Sequence, residues 1–140
     1  MVAQNQKTQY QPSYNAQDVH LFVNNVEING FQEGTMVQVA FQNQLVTMNA
    51  DAKGEGYATI SNDHRGTITV NLSELSVDNS MLSKLATSKQ QFPVKLVHHD
   101  ESWSGQGWVQ KMPDAQFGAT ASGRSWQLMV PELNYLNDNV

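Results

Sequence analysis

Apolar residues recur in this chain mainly at every second position, the period of a strand buried on one face. The clearest case is Thr67-Ile68-Thr69-Val70-Asn71-Leu72, in which Ile68, Val70 and Leu72 share one face and Thr67, Thr69 and Asn71 the other. Met36 to Phe41 repeats the pattern, with Val37, Val39 and Phe41 opposite Gln38 and Ala40. Val19 to Val23 is followed by Asn24-Asn25 and then Val26-Glu27-Ile28. Asparagine tolerates positive φ, so the pair predicts a tight hairpin turn. Further strands are predicted at Tyr57 to Ile60, Val94 to His99, Trp108 to Met112 and Ser125 to Val130. One segment keeps helical spacing instead. Val77, Met81, Leu82, Leu85 and Ala86 fall on one side of a helix that Ser76 or Asp78 can cap, that runs to about Ser88 and that Pro93 ends.

The intervening stretches are polar. Gln42 to Gly56, ending in Asp51-Ala52-Lys53-Gly54-Glu55-Gly56, is expected to be a long hairpin loop, longer than turning the chain requires, and Asp100 to Gly107 a second loop. Met1 to Tyr14 carries neither period and is expected to be a flexible arm. The organisation implied is an arm over 1–14, one β domain over 15–131 and a C-terminal tail over 132–140. The fold class is mainly β, a sandwich or barrel with one packed α-helix.

Composition narrows the picture. No apolar run approaches the roughly 20 residues that span a bilayer, and the N-terminus lacks a basic and then apolar signal pattern, so a soluble chain is expected. The absence of cysteine excludes disulfides and thiolate chemistry. A net charge of -5 and the lack of any basic cluster argue against a surface that neutralises phosphates. Only 15% of residues are charged, whereas glutamine and asparagine make up one residue in five. Side-chain amides donate and accept hydrogen bonds without a charge to desolvate, so such a surface can be covered by copies of itself at low cost.

The residues that could carry chemistry form no catalytic set. His98 and His99 are adjacent on a predicted strand, which sends their side chains to opposite faces. Asp63-His64 lacks the elbow that would expose and activate a serine. Gly54-Glu55-Gly56 and Gly105-Gln106-Gly107 are turns, since no Lys-Ser/Thr pair follows either. Trp108 and Trp126 lie in strands and read as core or interface residues, which leaves Trp103, in a loop, as the one free aromatic face. A carbohydrate-binding β-sandwich module resting on Trp103 is therefore an alternative. No enzyme activity, metal or cofactor is expected.

Several short motifs occur in a telling order. They are Tyr14-Asn15-Ala16, Gly30-Phe31-Gln32-Glu33-Gly34-Thr35, Gly66-Thr67-Ile68-Thr69-Val70, then Leu72, Ser76, Asn79, Leu82 and Leu85, followed by Phe92-Pro93-Val94, Lys111-Met112-Pro113 and Arg124-Ser125-Trp126. Over roughly residues 14 to 130 this order resembles the tail tube proteins of contractile-tailed bacteriophages. The amide-rich arm and Gln42-Asn43-Gln44 depart from that pattern. The resemblance implies a structural virion protein, synthesised in the host cytoplasm and residing in the tail, that forms homo-hexameric rings. These would stack into a tube whose inner β-barrel is completed between subunits. It also implies a sheath protein outside, baseplate and tape-measure partners, and phage DNA passing without specific binding. A baseplate or tail-completion protein of the same fold is the alternative within that group.

On this reading the wall of the tube is built from Met36 to Phe41, Tyr57 to Ile60, Gly66 to Leu72, Val94 to His99 and Trp108 to Met112. Gln38, Thr67, Thr69 and Asn71 are then the lumen-facing candidates. Leu45, Val46, Met48, Asp51 and Glu55 are the candidates for contact between subunits or rings.

Overall fold

A computed structural model describes residues 13–138. Ten strands and one α-helix follow one another as β1 (Val19–Val23), β2 (Val26–Glu27), β3 (Val37–Phe41), β4 (Val46–Ala50), β5 (Gly56–Ile60), β6 (Gly66–Ser73), α1 (Asp78–Ser88), β7 (Phe92–His98), β8 (Glu101–Lys111), β9 (Gly123–Val130) and β10 (Asn134–Asn137). All pairings are antiparallel, and the main sheet runs β2-β1-β7-β8-β9-β6-β3. The chain is mainly β with one packed helix, as the two-residue period implied.

The long strand β8 gives this sheet its shape. Its first half pairs with β7 on one side and β10 on the other, and its second half pairs with β9 from Trp108 onward, with a register shift within that pairing between Val109 and Lys111. Glycine permits the bend: a Cβ at Gly105 would sit 2.6 Å from both the Glu132 carbonyl oxygen and Val130 Cγ1. The chain leaving β9 therefore crosses directly over β8, where no side chain stands in the way.

The face predicted to be apolar in β6 is the core. Ile68, Val70 and Leu72 are fully buried beside Trp126, Leu128 and Val130 of β9 and Leu21 and Val23 of β1, while Val37 and Val39 of β3 are half-buried against them. Helix α1 closes this core through Leu82 and Leu85. Asn79 fixes its start: its Nδ2 donates to the carbonyls of Ser73 (2.9 Å) and Ser76 (3.1 Å), and its Oδ1 accepts from the indole N–H of Trp126 (2.9 Å). Ser76 Oγ donates to the Asn29 carbonyl and Asp78 Oδ2 accepts from the Asn29 amide, which docks the Asn29-Gly30 bend against the helix. Gly30 has φ +79, and an added Cβ there would meet Ser76 at 2.7 Å, so this bend requires glycine.

Several expectations need correction. Gln42 to Gly56 is not a loop: β4 rises from it and pairs with β5 in a separate two-stranded ribbon, Val46 opposite Ile60 through Ala50 opposite Gly56. Tyr57 to Ile60 thus belongs to this ribbon and not to the wall formed by β3 and β6. Asp100 to Gly107 is not a loop either, because β8 begins at Glu101, and Trp103 is a strand residue. Val77 does not join the apolar side of α1 but is exposed. The helix is closed by Lys89, which takes a left-handed φ of 54 and whose backbone N–H donates to the carbonyls of Leu85 and Ala86, and Pro93 lies within β7. Asn24 and Asn25 form the turn as predicted, with φ of 53 and 66.

Candidate functional site

Strands β4 and β5 leave the body of the protein between Phe41 at the end of β3 and Gly66 at the start of β6. The register places Val46, Met48 and Ala50 on the same face as Ala58 and Ile60. Every residue of that face is exposed, Met48 at 73% and Ile60 at 72%. The opposite face is Thr47, Asn49, Tyr57 and Thr59, where Asn49 Nδ2 donates to Thr59 Oγ1 at 3.0 Å. The tip is fixed from within: Asp51 Oδ1 accepts from the amides of Lys53 and Glu55, both at 2.9 Å. The sequence thus sets an ordered, one-sided apolar ribbon in solvent. Of the contact candidates, Leu45, Val46 and Met48 are exposed apolar groups on the ribbon or its stem, whereas Asp51 shapes the tip and Glu55 contributes its backbone to it.

At the base of the ribbon lies an open groove of about 600 Å³ lined by Phe41, Leu45, His64, Glu101, Trp103 and Tyr135. Trp103 and Tyr135 face each other across β8 and β10, ring centroids 5.2 Å apart and tilted 47°. They form a corner and not the flat platform a sugar ring stacks on. The Tyr135 hydroxyl donates to Glu101 Oε2 at 2.7 Å, and this bond holds the phenol above its ordinary pKa. Tyr135 was missed in the sequence because its segment was assigned to a tail, and Asn134-Tyr135-Leu136-Asn137 is too short for a two-residue period to stand out.

The lumen-facing candidates share the sheet face away from the core. Gln38 is exposed and Thr67, Thr69 and Asn71 are half-buried, and Asn71 Nδ2 donates to the Thr35 carbonyl at 3.0 Å. Ser125 and Gln127 lie on the same face, opposite Asn71 and Thr69. Strands β3, β6 and β9 contain no carboxylate. Lys111 and Asp114, one charge of each sign, border this face beside Asn71, Ser125 and Gln127.

Several other titratable groups are engaged in local structure. Asp63 is bound by Arg65, with Arg65 Nε donating to both carboxylate oxygens at 2.9 and 3.0 Å, and Asn43 Nδ2 donates to the same group. The hydrogen bond from Arg65 holds its carboxyl below the usual range. Asp63 is thus a turn residue and does not orient His64. His98 and His99 are in contact, ring centroids 4.4 Å apart, because His99 takes a left-handed φ of 52 at the β7–β8 turn. His99 Nε2 lies 3.6 Å from Asp18 Oδ2. Among the described residues no three histidine or acidic side chains gather as metal ligands.

No protein-family model matches this sequence, and no curated protein matches it. Solved structures do. The sheath/tube terminator of the extracellular contractile injection system PVC, in its extended state, superposes with a TM-score of 0.60 at 11% identity, covering 89% of this chain and 97% of that one. The tube terminating cap of the anti-feeding prophage gives 0.59 at 10%, covering 91% and 93%. A chain of the PVC sheath-tube complex gives 0.60 at 13%, covering 98% of each. This protein has the fold of contractile-system tube and terminator subunits. The match extends over nearly the whole of each chain, so the correspondence is of entire domains.

Proposed function

We propose that this protein is a non-enzymatic structural subunit that forms hexameric rings and stacks them into the inner tube of a contractile tail, within a sheath. The observation that carries this reading is the β4–β5 ribbon. A two-stranded ribbon is marginally stable in water on its own. This one presents Val46, Met48 and Ile60 to solvent with nothing from the described chain to cover them. A second copy supplies the missing cover. The main sheet supports ring closure in the same way, because among the described residues its terminal strands β2 and β3 each have one side unpaired, and a closed ring removes such edges.

The neutral hydroxyl and amide face of Gln38, Thr67, Thr69 and Asn71 then lines the conduit. A surface of mostly neutral hydroxyl and amide groups, with only Lys111 and Asp114 at its border, gives a passing polymer, phage DNA in this reading, no basic cluster to adhere to. Baseplate and tape-measure proteins are the further partners of such a tube. The fold shared with a terminator and a cap favours one other reading, a subunit that closes the end of a tube. Negative-stain imaging of the purified chain separates the two. Long tubes support the tube subunit, single or paired rings that do not elongate support the terminator, and a monomer at all concentrations refutes both.

A further inference from the structure

The described chain carries an apolar groove at one end of its central strands and exposed apolar side chains at the other. The groove lined by Phe41, Leu45, Trp103 and Tyr135 lies at the end marked by Gly66 of β6 and Val130 of β9. The far end of the same two strands is marked by Ser73 and Gly123, roughly 23 Å away at the usual rise per strand residue. Three large apolar side chains stand in solvent around that far end: Leu75 at 78%, Val77 at 86% and Phe117 at 81% exposure. The loop bearing Phe117 is held there by Ser122, whose Oγ donates to the Gln116 carbonyl and whose own carbonyl accepts from the Glu74 amide. Single exposed apolar residues are ordinary; three at one end, facing away from an apolar groove at the other, are not.

We infer that these two ends are halves of one head-to-tail contact, in which the Phe117 loop of one copy seats in the Trp103–Tyr135 groove of the next. This rests on the tube reading above and adds to it the surface that the ribbon end meets. Charge favours the pairing. The Arg124 guanidinium lies 5.6 Å over the Phe117 ring, makes no ion pair among the described residues, and has a buried Nε with no acceptor. Glu74, at the same end, also leaves a buried carboxylate oxygen without a partner. The groove offers a carboxylate, Glu101, already positioned by the Tyr135 hydroxyl. Phe117 entering the aromatic corner would bring Arg124 toward Glu101, and a desolvated arginine on an aromatic anchor is a common hot-spot arrangement.

Geometry sets the consequence. A patch that fits a groove elsewhere on the same molecule makes a heterologous contact, and repetition of it produces an open stack with a direction. Rings joined in this way have unlike faces, one with Phe117 outward and one with the groove open. The residues are distinct from Val46, Met48 and Ile60, so the two contacts can be broken separately.

The chain has no cysteine, which permits a clean test. The double variant Phe117→Cys with Tyr135→Cys, assembled and oxidised, is expected to give a ladder of disulfide-linked multimers in denaturing gels, while each single variant gives none. Phe117→Asp, a change at a solvent-exposed position, should leave the melting temperature and the formation of rings unchanged and raise the concentration needed for tube growth about tenfold, as for a loss of one order in stacking affinity. If wild-type rings and tubes form but the double variant stays uncrosslinked and Phe117→Asp elongates normally, the pairing is overturned and the tube reading stands. Crosslinking of Phe117→Cys alone would mean a two-fold contact and would also overturn it. If the wild type forms no rings, the tube reading fails and this inference fails with it.

Discussion

Truncating Met48 on the β4–β5 ribbon should weaken assembly without weakening the fold. Met48 is 73% exposed in the single chain, opposite Ala58 and beside Val46 and Ile60. Met48→Ala removes three heavy groups at about 0.8 kcal/mol each when fully covered, and about three-quarters of that surface is still open to be covered by a neighbour. The loss at a contact is then about 1.5–2 kcal/mol, which corresponds to at least a tenfold rise in the concentration needed for tube growth. Thermal unfolding of the unassembled chain should change by less than about 0.5 kcal/mol, since an exposed side chain contributes little to the folded state. Both quantities are measurable on one preparation, the first by sedimenting assembled material across a concentration series and the second by circular dichroism below the threshold. A threshold unchanged within twofold, with tubes still forming, would refute the assignment of this face as a contact.

Other changes act on the fold. Leu82→Ala, at a fully buried position of α1, should cost about 2–5 kcal/mol in urea unfolding, and a loss under about 0.5 kcal/mol would place that helix face in solvent. Gly105→Ala sets a methyl 2.6 Å from a backbone carbonyl and should destabilise the chain by about 1–3 kcal/mol; a neutral result would show that β9 and β10 can move off β8 freely. Trp126→Phe leaves Asn79 Oδ1 without its donor inside the structure and should cost about 1–3 kcal/mol, more than the change of ring alone explains. Asp63 has a folded pKa below its ordinary value, so its support of the turn before β6 is complete above the unfolded pKa and is lost as pH falls through the folded one. A carboxyl titration by NMR should show the lowered midpoint and its return toward normal in Arg65→Gln; a midpoint unchanged by that substitution would contradict the pairing.

Where one face of a strand is buried, the sequence announced it. β3 and β6 were legible because Gln38 separates Val37 from Val39 and Thr69 separates Ile68 from Val70, β1 and β9 because they are short apolar-rich runs, and the turn at Asn24-Asn25 because few other residues accept its backbone. The misses share a cause. β8 reads as a loop over Glu101 to Gly107 because its glycines and serines have little strand preference, but pairing with Phe92 to His98 outweighs local propensity. In β4, Val46, Met48 and Ala50 do alternate with Thr47 and Asn49, and the surrounding amides concealed a period that was present. Val77 was placed on the apolar side of α1 by spacing alone, though it precedes the first helical residue and points elsewhere. Leu45, Val46 and Met48 were read as anchors on a loop, whereas Val46 and Met48 share one face of a ribbon, Leu45 is on its stem, and Asp51 and Glu55 form its tip. Tyr135 and the groove beside it depended on a tertiary pairing between β8 and β10 that no local pattern records.

The exposed ribbon also bears on when assembly begins. A subunit in solution holds β4 and β5 paired but with one apolar side uncovered, so its first encounter with another subunit must immobilise the exposed side chains of both ribbons for a single contact. A subunit meeting a completed ring finds the opposing surface already rigid, and the ordering cost falls on one partner only. Growth under the proposed reading is therefore nucleated. It shows a lag that added seeds abolish, and a preformed ring, in the cell or in a tube of purified protein, decides where polymerisation starts.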